Sequence, residues 1–460
     1  MVVPLCLRAG HRHAGPETLS PHIAVVVVME HALAVSLPFV KVLAAFALML
    51  AGMRFGLGLA LSILLGGVFM GLVFGCGPQA ILVTGLTALT RENFLFLAAI
   101  VGLIMMLSDG LERSGQSRRL MEALSGYLTR PRLRLVFFPA LIGLLPMPGG
   151  AIFSAPMVKA MGEDMNLPAE DRALINYWFR HVWETAWPLY PGIILTVALA
   201  QLPIGAFIAY TWPGVVAMYV FGWFFFLRGL DTGGGPAPAE AKALRAAPGV
   251  VLREGLPLLI AIVGAVGCET LLARLAPSVP FEWGVIAALL LAVAAIVAMN
   301  GLGLPFLRQV LGKRSLWQMM LVVAAIFVFK DIMQEAGIVE AMASAAGGGA
   351  ALFAAAFFLP FLVGMVAGIN VAFVGATFPL LLGLLHSLGL EQQTLAYLVV
   401  ATFAGFTGVM ISPIHICFVL TCNYFGTSIG RTWRRLVAPC CCFLAVGAAY
   451  FFLLRVLLAG

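Results

Sequence analysis

MLSDGLERSG, residues 106–115, returns as VFKDIMQEAG, residues 328–337, and the register between the two holds along the chain. Asp109 and Gly115 fall on Asp331 and Gly337. Almost the same offset carries Pro139 and Gly143 onto Pro360 and Gly364, and Leu167 and Glu170 onto Leu388 and Glu391. It also carries Pro191 onto Pro413, and the pair Thr211 and Trp212 onto Thr432 and Trp433. One such match is chance; a register kept from Asp109 to Trp212 predicts a duplicated chain. The reading gives a first repeat at 29–229, a linker at 230–250 and a second repeat at 251–460. Residues 1–28, patternless and basic, read as an extension, with Met29 as an alternative start.

Composition sets the class. Hydrophobic residues make up 62% of the chain and charged ones 10%, against about 25% charged in soluble domains. Apolar runs at 37–52, 55–74, 94–107, 213–227, 255–272, 283–299, 316–329 and 436–454 supply spanning candidates, since roughly 20 residues cross a hydrocarbon core. The runs ending at Leu107 and Phe329 are shorter than that and hold equivalent places in the two copies. The fold class expected is an all-α polytopic membrane protein.

Loop charge orients the copies, because Lys and Arg gather on the cytoplasmic side. The loop after Asp109 holds Arg113, Arg118, Arg119, Arg130, Arg132 and Arg134; its partner after Asp331 holds Glu335 and Glu340 and no Lys or Arg up to Gly349. Arg308, Lys313 and Arg314 are matched only by Arg91, and Arg434 and Arg435 by Pro213 and Gly214. Three loop pairs thus predict inverted-topology repeats, a plan typical of secondary transporters. The linker, rich in Gly, Pro and Ala with Lys242 and Arg245, reads as cytoplasmic.

Four places interrupt the apolar pattern. LLPMPGGAIFSAP, residues 144–156, cannot continue a helix through Pro146, Pro148, Gly149 and Gly150. GMVAGINVAFVGATFP, residues 364–379, breaks more gently at Gly368 and Asn370. Later come PLYPG, residues 188–192 with Tyr190 at its centre, and SPIHI, residues 412–416. Broken backbone at membrane depth is tolerated only where protein, water or ligand covers it. These breaks therefore predict a site. Half-helix N-termini there favour an anion, while freed carbonyls suit Na⁺. Each repeat is read as a re-entrant hairpin, at 134–161 or 351–386, followed by a broken transmembrane helix; three full crossings per half satisfy the same parity.

The stretches PMPGGAIFSAP, YWFRHVWETAWPLYPG and TGVMISPIHICFVLT resemble an uncharacterised conserved integral-membrane family, a domain of unknown function. That family is similar to the ion-transporter superfamily of carboxylate, citrate, gluconate and arsenite carriers. The resemblance covers most of the chain from about Phe55 and implies two inverted halves, a homodimer and an elevator motion. The sodium-coupled carboxylate carriers have Ser-Asn-Thr at each hairpin tip, where this chain has Pro-Met-Pro-Gly-Gly and Ala-Gly-Ile-Asn. That departure leaves the coupling ion and the substrate open.

Tyr177, Arg180, His181, Glu184 and Trp187 follow at helical spacing and are expected on one helix face. Ionisable groups in such segments are costly and face a cavity or one another. Arg180 suits a carboxylate anchor, and His181 with Glu184 a proton relay; an interfacial ion pair is the structural alternative. His415 in the second break and Asn370 are candidates for both substrate and coupling ion. Gly149, Gly150, Ser154, Tyr190, Thr377 and Ser412 complete the expected substrate contacts. Asp109 and Asp331 read as helix-end or loop structure.

Eight cysteines without paired ligand spacing predict neither a disulfide framework nor a metal site. No cofactor is expected beyond a possible coupling Na⁺. The net charge of +7 reports topology rather than nucleic-acid binding. The function expected is a non-enzymatic secondary active transporter of a small organic anion in a bacterial-type inner membrane, coupled to H⁺ or Na⁺. A permease subunit served by a periplasmic binding protein is the alternative, with a membrane-embedded enzyme acting on a lipid-linked substrate behind it.

Overall fold

The computed structural model describes residues 21–458 apart from 129, 146–149, 231–245, 277, 281 and 346–348. Gly149, both prolines of the first break, and Lys242 and Arg245 of the linker lie outside the described residues. Among the described residues every regular element is a helix, and nine helical stretches are long and apolar enough to cross a bilayer. In a bilayer core only intrahelical or closed-barrel pairing satisfies the backbone, and this apolar sequence takes the first route.

Ten helices precede residues 231–245: α1 (Pro21–Arg54), α2 (Leu59–Val73), α3 (Pro78–Ala88), α4 (Glu92–Arg113), α5 (Gln116–Ser125), α6 (Pro131–Gly143), α7 (Ala151–Asp164), α8 (Ala169–Arg180), α9 (Pro191–Ala200) and α10 (Ile204–Gly222). Ten follow: α11 (Pro248–Leu275), α12 (Glu282–Asn300), α13 (Leu304–Leu311), α14 (Arg314–Glu335), α15 (Ile338–Ala345), α16 (Gly349–Ala367), α17 (Asn370–Ser387), α18 (Thr394–Ile411), α19 (Ile416–Phe425) and α20 (Ile429–Leu458). α11 takes in the last residues of the predicted linker. The two runs match element by element; α4 and α14 have 22 residues each, and α9 and α19 have 10 each. The short apolar runs expected at 94–107 and 316–329 are therefore corrected. Both helices continue through Asp109 and Asp331, because these carboxylates are paired with basic side chains and no longer stop the helix.

The predicted interruptions appear as helix breaks. α16 turns into α17 through Gly368, whose φ of +67 is a left-handed conformation that suits glycine. α8 and α9 are separated by residues 181–190, and α18 and α19 by 412–415. The helices on either side of the first break in each half differ in length. α6 and α7 have 13 and 14 residues, about 20 Å each, whereas α16 and α17 have 19 and 18, close to a full span.

Contacts between the halves come in reciprocal pairs: α2 on α14 and α12 on α4, α9 on α17 and α19 on α7, α5 on α11 and α15 on α1. At the centre is α18, buried on every side from Ala396 to Met410. A helix apolar all round belongs in a protein interior. Without water to drive helices together, close approach depends on small residues. Gly364 and Gly408 bring α16 and α18 together so tightly that an added Cβ would collide with the carbonyl oxygens of Gly405 and Phe361. Gly143 does the same for α6, where a Cβ would stand 2.5 Å from the Arg180 carbonyl.

α4 and α14 run antiparallel, fastened at both ends by ion pairs. Arg91 meets Asp331 at 3.0 Å, and Asp109 binds Lys313 and, at 2.7 Å, Arg113. Arg91 and Lys313 are themselves equivalent in the two copies. This corrects the loop-structure reading of Asp109 and Asp331: each is buried, 6% and 3% exposed, and binds the other half. Breaking either contact strands a buried carboxylate, which is destabilising. Asp331→Lys should sharply lower the thermal unfolding midpoint of the detergent-solubilised protein, and Arg91→Glu added to it should recover much of the loss. Gly364→Val should cost at least about 2 kcal/mol by overpacking, seen as early aggregation in the same unfolding assay.

Candidate functional site

The backbone break after α8 determines where the charged groups go. α8 stops at Arg180, so the expected single helix face from Tyr177 to Trp187 is corrected: Glu184 and Trp187 sit in the turns of 181–190. Pro188 and Pro191 lack an N–H, and the glycine approach at Gly143 holds the α8 end tightly against α6, so the helix cannot run on. The segment turns back over the end of α6 and bonds its carbonyls. Trp183 Nε1 donates to Ala140 O at 2.8 Å, Trp187 Nε1 to Leu144 O at 2.9 Å and Tyr190 Oη to Gly143 O at 2.6 Å. Arg180 Nη2 donates to Leu145 O at 3.3 Å. These are the carbonyls that a helix end leaves without partners.

The remaining polar atoms face a cavity of about 640 Å³ between the two halves. Its wall takes Arg180, Glu184, Tyr190 and Gly192 from the first break, Asn370 from the start of α17, and His415 and Cys417 from the second break. α14 adds Ser315 and Gln318; α2 and α4 add apolar side chains. Among the described residues, Arg180 and Glu184 are the only Asp, Glu, Lys or Arg on this wall. The N-terminal ends of α9, α17 and α19 all open on it.

Arg180, 2% exposed, donates through Nη1 to Tyr190 Oη at 2.8 Å and to Glu184 Oε1 at 3.4 Å. Asn370 Nδ2 donates to Glu184 Oε2 at 2.7 Å, so the carboxylate bridges the two halves. Asn370 comes this close because Gly192 has no side chain; a Cβ there would lie 3.2 Å from the Asn370 Cβ. Behind Glu184, His181 Nε2 is 3.8 Å from Oε1 and 3.2 Å from His415 Nε2. His181 Nδ1 donates to Tyr177 O at 2.6 Å, which leaves its Nε2 to accept from His415. With Cys417 the two imidazoles bring three ligand atoms within 4.8 Å of one another. At 3.2 Å the two Nε2 atoms are within hydrogen-bonding distance of each other.

Of the sequence-predicted residues, the cavity gathers Arg180, Glu184, Tyr190, Asn370 and His415, with His181 directly behind. Ser412 is buried beside Gly368, its Oγ without a hydrogen-bond partner. Gly150 is buried at the start of α7, away from the cavity wall. Ser154 and Thr377 are elsewhere, correcting their placement at the site. Ser154 Oγ donates to Asn176 Oδ1 at 2.7 Å in a buried knot with Ala151 O and Thr421, and Thr377 Oγ1 returns to Phe373 O of its own helix. Sequence reasoning missed Asn176, Ser315 and Gln318. It also missed the capping work of Trp183, Trp187 and Tyr190, although two tryptophans and a tyrosine beside Pro188 and Pro191 are a legible signal of polar-tipped side chains around a break.

With helices as its only regular elements among the described residues and with these spans, the chain is an all-α polytopic membrane protein. Residues 36–233 and 269–454 match a family described as protein of unknown function DUF401, and the chain belongs to that family. No curated protein matches it. Asn176→Ala removes the buried bonds to Ser154 Oγ and Ala151 O and should lower stability by about 1–3 kcal/mol, read as a lower thermal unfolding midpoint.

Proposed function

We propose that the protein is a secondary carrier for a small organic anion, working by alternating access without chemical turnover. The carrying observation is Arg180. A buried guanidinium faces a central cavity of about 640 Å³, a size suited to a small molecule. Three helix N-termini end at the same space, and their partial positive charge favours an anion. The fork of Arg180 suits a carboxylate bound through two oxygens.

Alternation is supported by the duplicated helix order and by α4 and α14, which are equivalent in the duplication yet lie antiparallel. Equivalent helices in opposite directions are what inverted halves require. The halves meet at the cavity through Glu184 and Asn370, so a motion of one half against the other opens the site first to one face, then to the other. A bacterial-type inner membrane and a homodimer remain the setting and assembly in this reading.

The test is a thermal-shift titration of the purified protein with lactate, gluconate, succinate and citrate, followed by uptake into proteoliposomes. At least one anion should raise the unfolding midpoint saturably, by mass action on the folded state. Arg180→Lys keeps the charge but loses the fork and should weaken binding at least about tenfold. The paired variant Arg180→Met with Glu184→Gln, which strands no charge, should abolish binding while the protein stays folded. Unchanged affinity in both variants would sink the reading.

A further inference from the structure

Arg180 is not a free anion site. Its guanidinium already faces Glu184 at 3.4 Å, and among the described residues the wall carries no other Asp, Glu, Lys or Arg. The site therefore sets one positive and one negative side chain, 2% and 10% exposed, against each other, and an unbalanced buried charge is expensive. An anion entering this arrangement makes the site net negative and meets a guanidinium already engaged. A proton entering alone makes it net positive. One anion and one proton together leave the balance as it was.

We propose that Glu184 and the substrate compete for Arg180, so that the carrier is an obligatory one-to-one symporter of a proton and a monocarboxylate. This rests on the anion-carrier reading above. In the loading step a proton from the facing solution bonds to a Glu184 oxygen, and the Arg180–Glu184 ion pair is exchanged for an Arg180–substrate carboxylate pair. Asn370 serves both protonation states. Its amide donates to the carboxylate at 2.7 Å, and its Oδ1 has no hydrogen-bond partner, so a turn of the amide lets it accept from the carboxylic acid. The polar contact between the two halves thus survives loading, and the empty deprotonated site and the loaded protonated site are both neutral.

Those two neutral states are the ones that cross between the membrane faces. Single charge compensation selects a monocarboxylate over a dianion, which would leave one negative charge without a partner. The other titratable groups around Glu184 are His181 in its own segment, Tyr190 and Tyr177, and His415 and Cys417 from the second break; α17 offers only Asn370 and α14 only Ser315 and Gln318. Of these, Glu184 is the group that shares Arg180 with the incoming carboxylate and competes with it by charge.

The experiment uses the full-length protein in nanodiscs and proteoliposomes, with lactate and gluconate as probes. Calorimetry in two buffers of different ionisation heat counts protons taken up on binding. In the wild type, proton uptake per anion should approach one as pH rises and Glu184 is ionised beforehand, with affinity weakening toward tenfold per pH unit. Glu184→Gln should bind without proton uptake and without that pH dependence. In proteoliposomes it should exchange internal for external lactate yet fail to accumulate it on a pH gradient, because its empty site carries a net positive charge and cannot return. His415→Gln should keep the one-proton stoichiometry.

If Glu184→Gln retains proton uptake, or His415→Gln removes it, the competition is wrong even though Arg180 still binds the anion. If succinate or citrate binds and neither monocarboxylate does, the charge balance is wrong. If no anion binds in any variant, the carrier reading itself fails and this inference with it.

Discussion

Ala140, Gly143, Leu144 and Leu145 close the end of α6, where a helix leaves its last carbonyls without intrahelical partners. In hydrocarbon each unpaired group costs several kilocalories per mole, so something must cover them. The chain covers them with its own residues 180–190, through Arg180, Trp183, Trp187 and Tyr190. That requirement ends α8 early, turns the backbone over α6 and carries Glu184 into the space between the halves. The arrangement of the site follows from satisfying a broken helix.

The same arrangement explains why so few charges suffice. Arg180 divides its donors among Leu145 O, the Tyr190 hydroxyl and the Glu184 carboxylate, so its position is set from three directions before any ligand arrives. Glu184 is held in turn by Asn370 across the interface. Around it α18 and the small-residue contacts at Gly364 and Gly408 form the tightly packed part of the molecule. α1, α11 and α20 leave most of their surface outward, and the reciprocal ion pairs of α4 and α14 tie the frame together from both ends.

Much of this was legible in the sequence because its signals are local. Low charge and apolar length announce spans, and Gly368, Pro188, Pro191 and Pro413 each disturb a helix within one turn of where they stand. The failures were equally physical. Helical spacing put Glu184 on the face of Arg180, but spacing assumes a continuous helix, and the covering of α6 ended it. Asp109 and Asp331 were read as helix ends because their partners in the other half are not visible in the sequence. Their partners, Lys313 and Arg91, lie more than two hundred residues away along the chain. Ser154 and Thr377 were chosen as hydroxyls near breaks, yet a hydroxyl in a helix readily turns inward to a carbonyl or a buried amide.

The sequence by itself determined that this is a helical membrane protein, where its helices break, and that its register repeats, since each depends on side-chain chemistry within a few residues or on comparing the chain with itself. Only the tertiary structure decided that two distant breaks face one cavity, that α4 and α14 are antiparallel and cross-paired, and that Arg180 is balanced by Glu184 and Asn370. Those facts depend on distances between segments far apart in the chain. Such distances are set by the need to bury every charge with a partner and to leave no carbonyl bare, a condition that holds for the molecule as a whole.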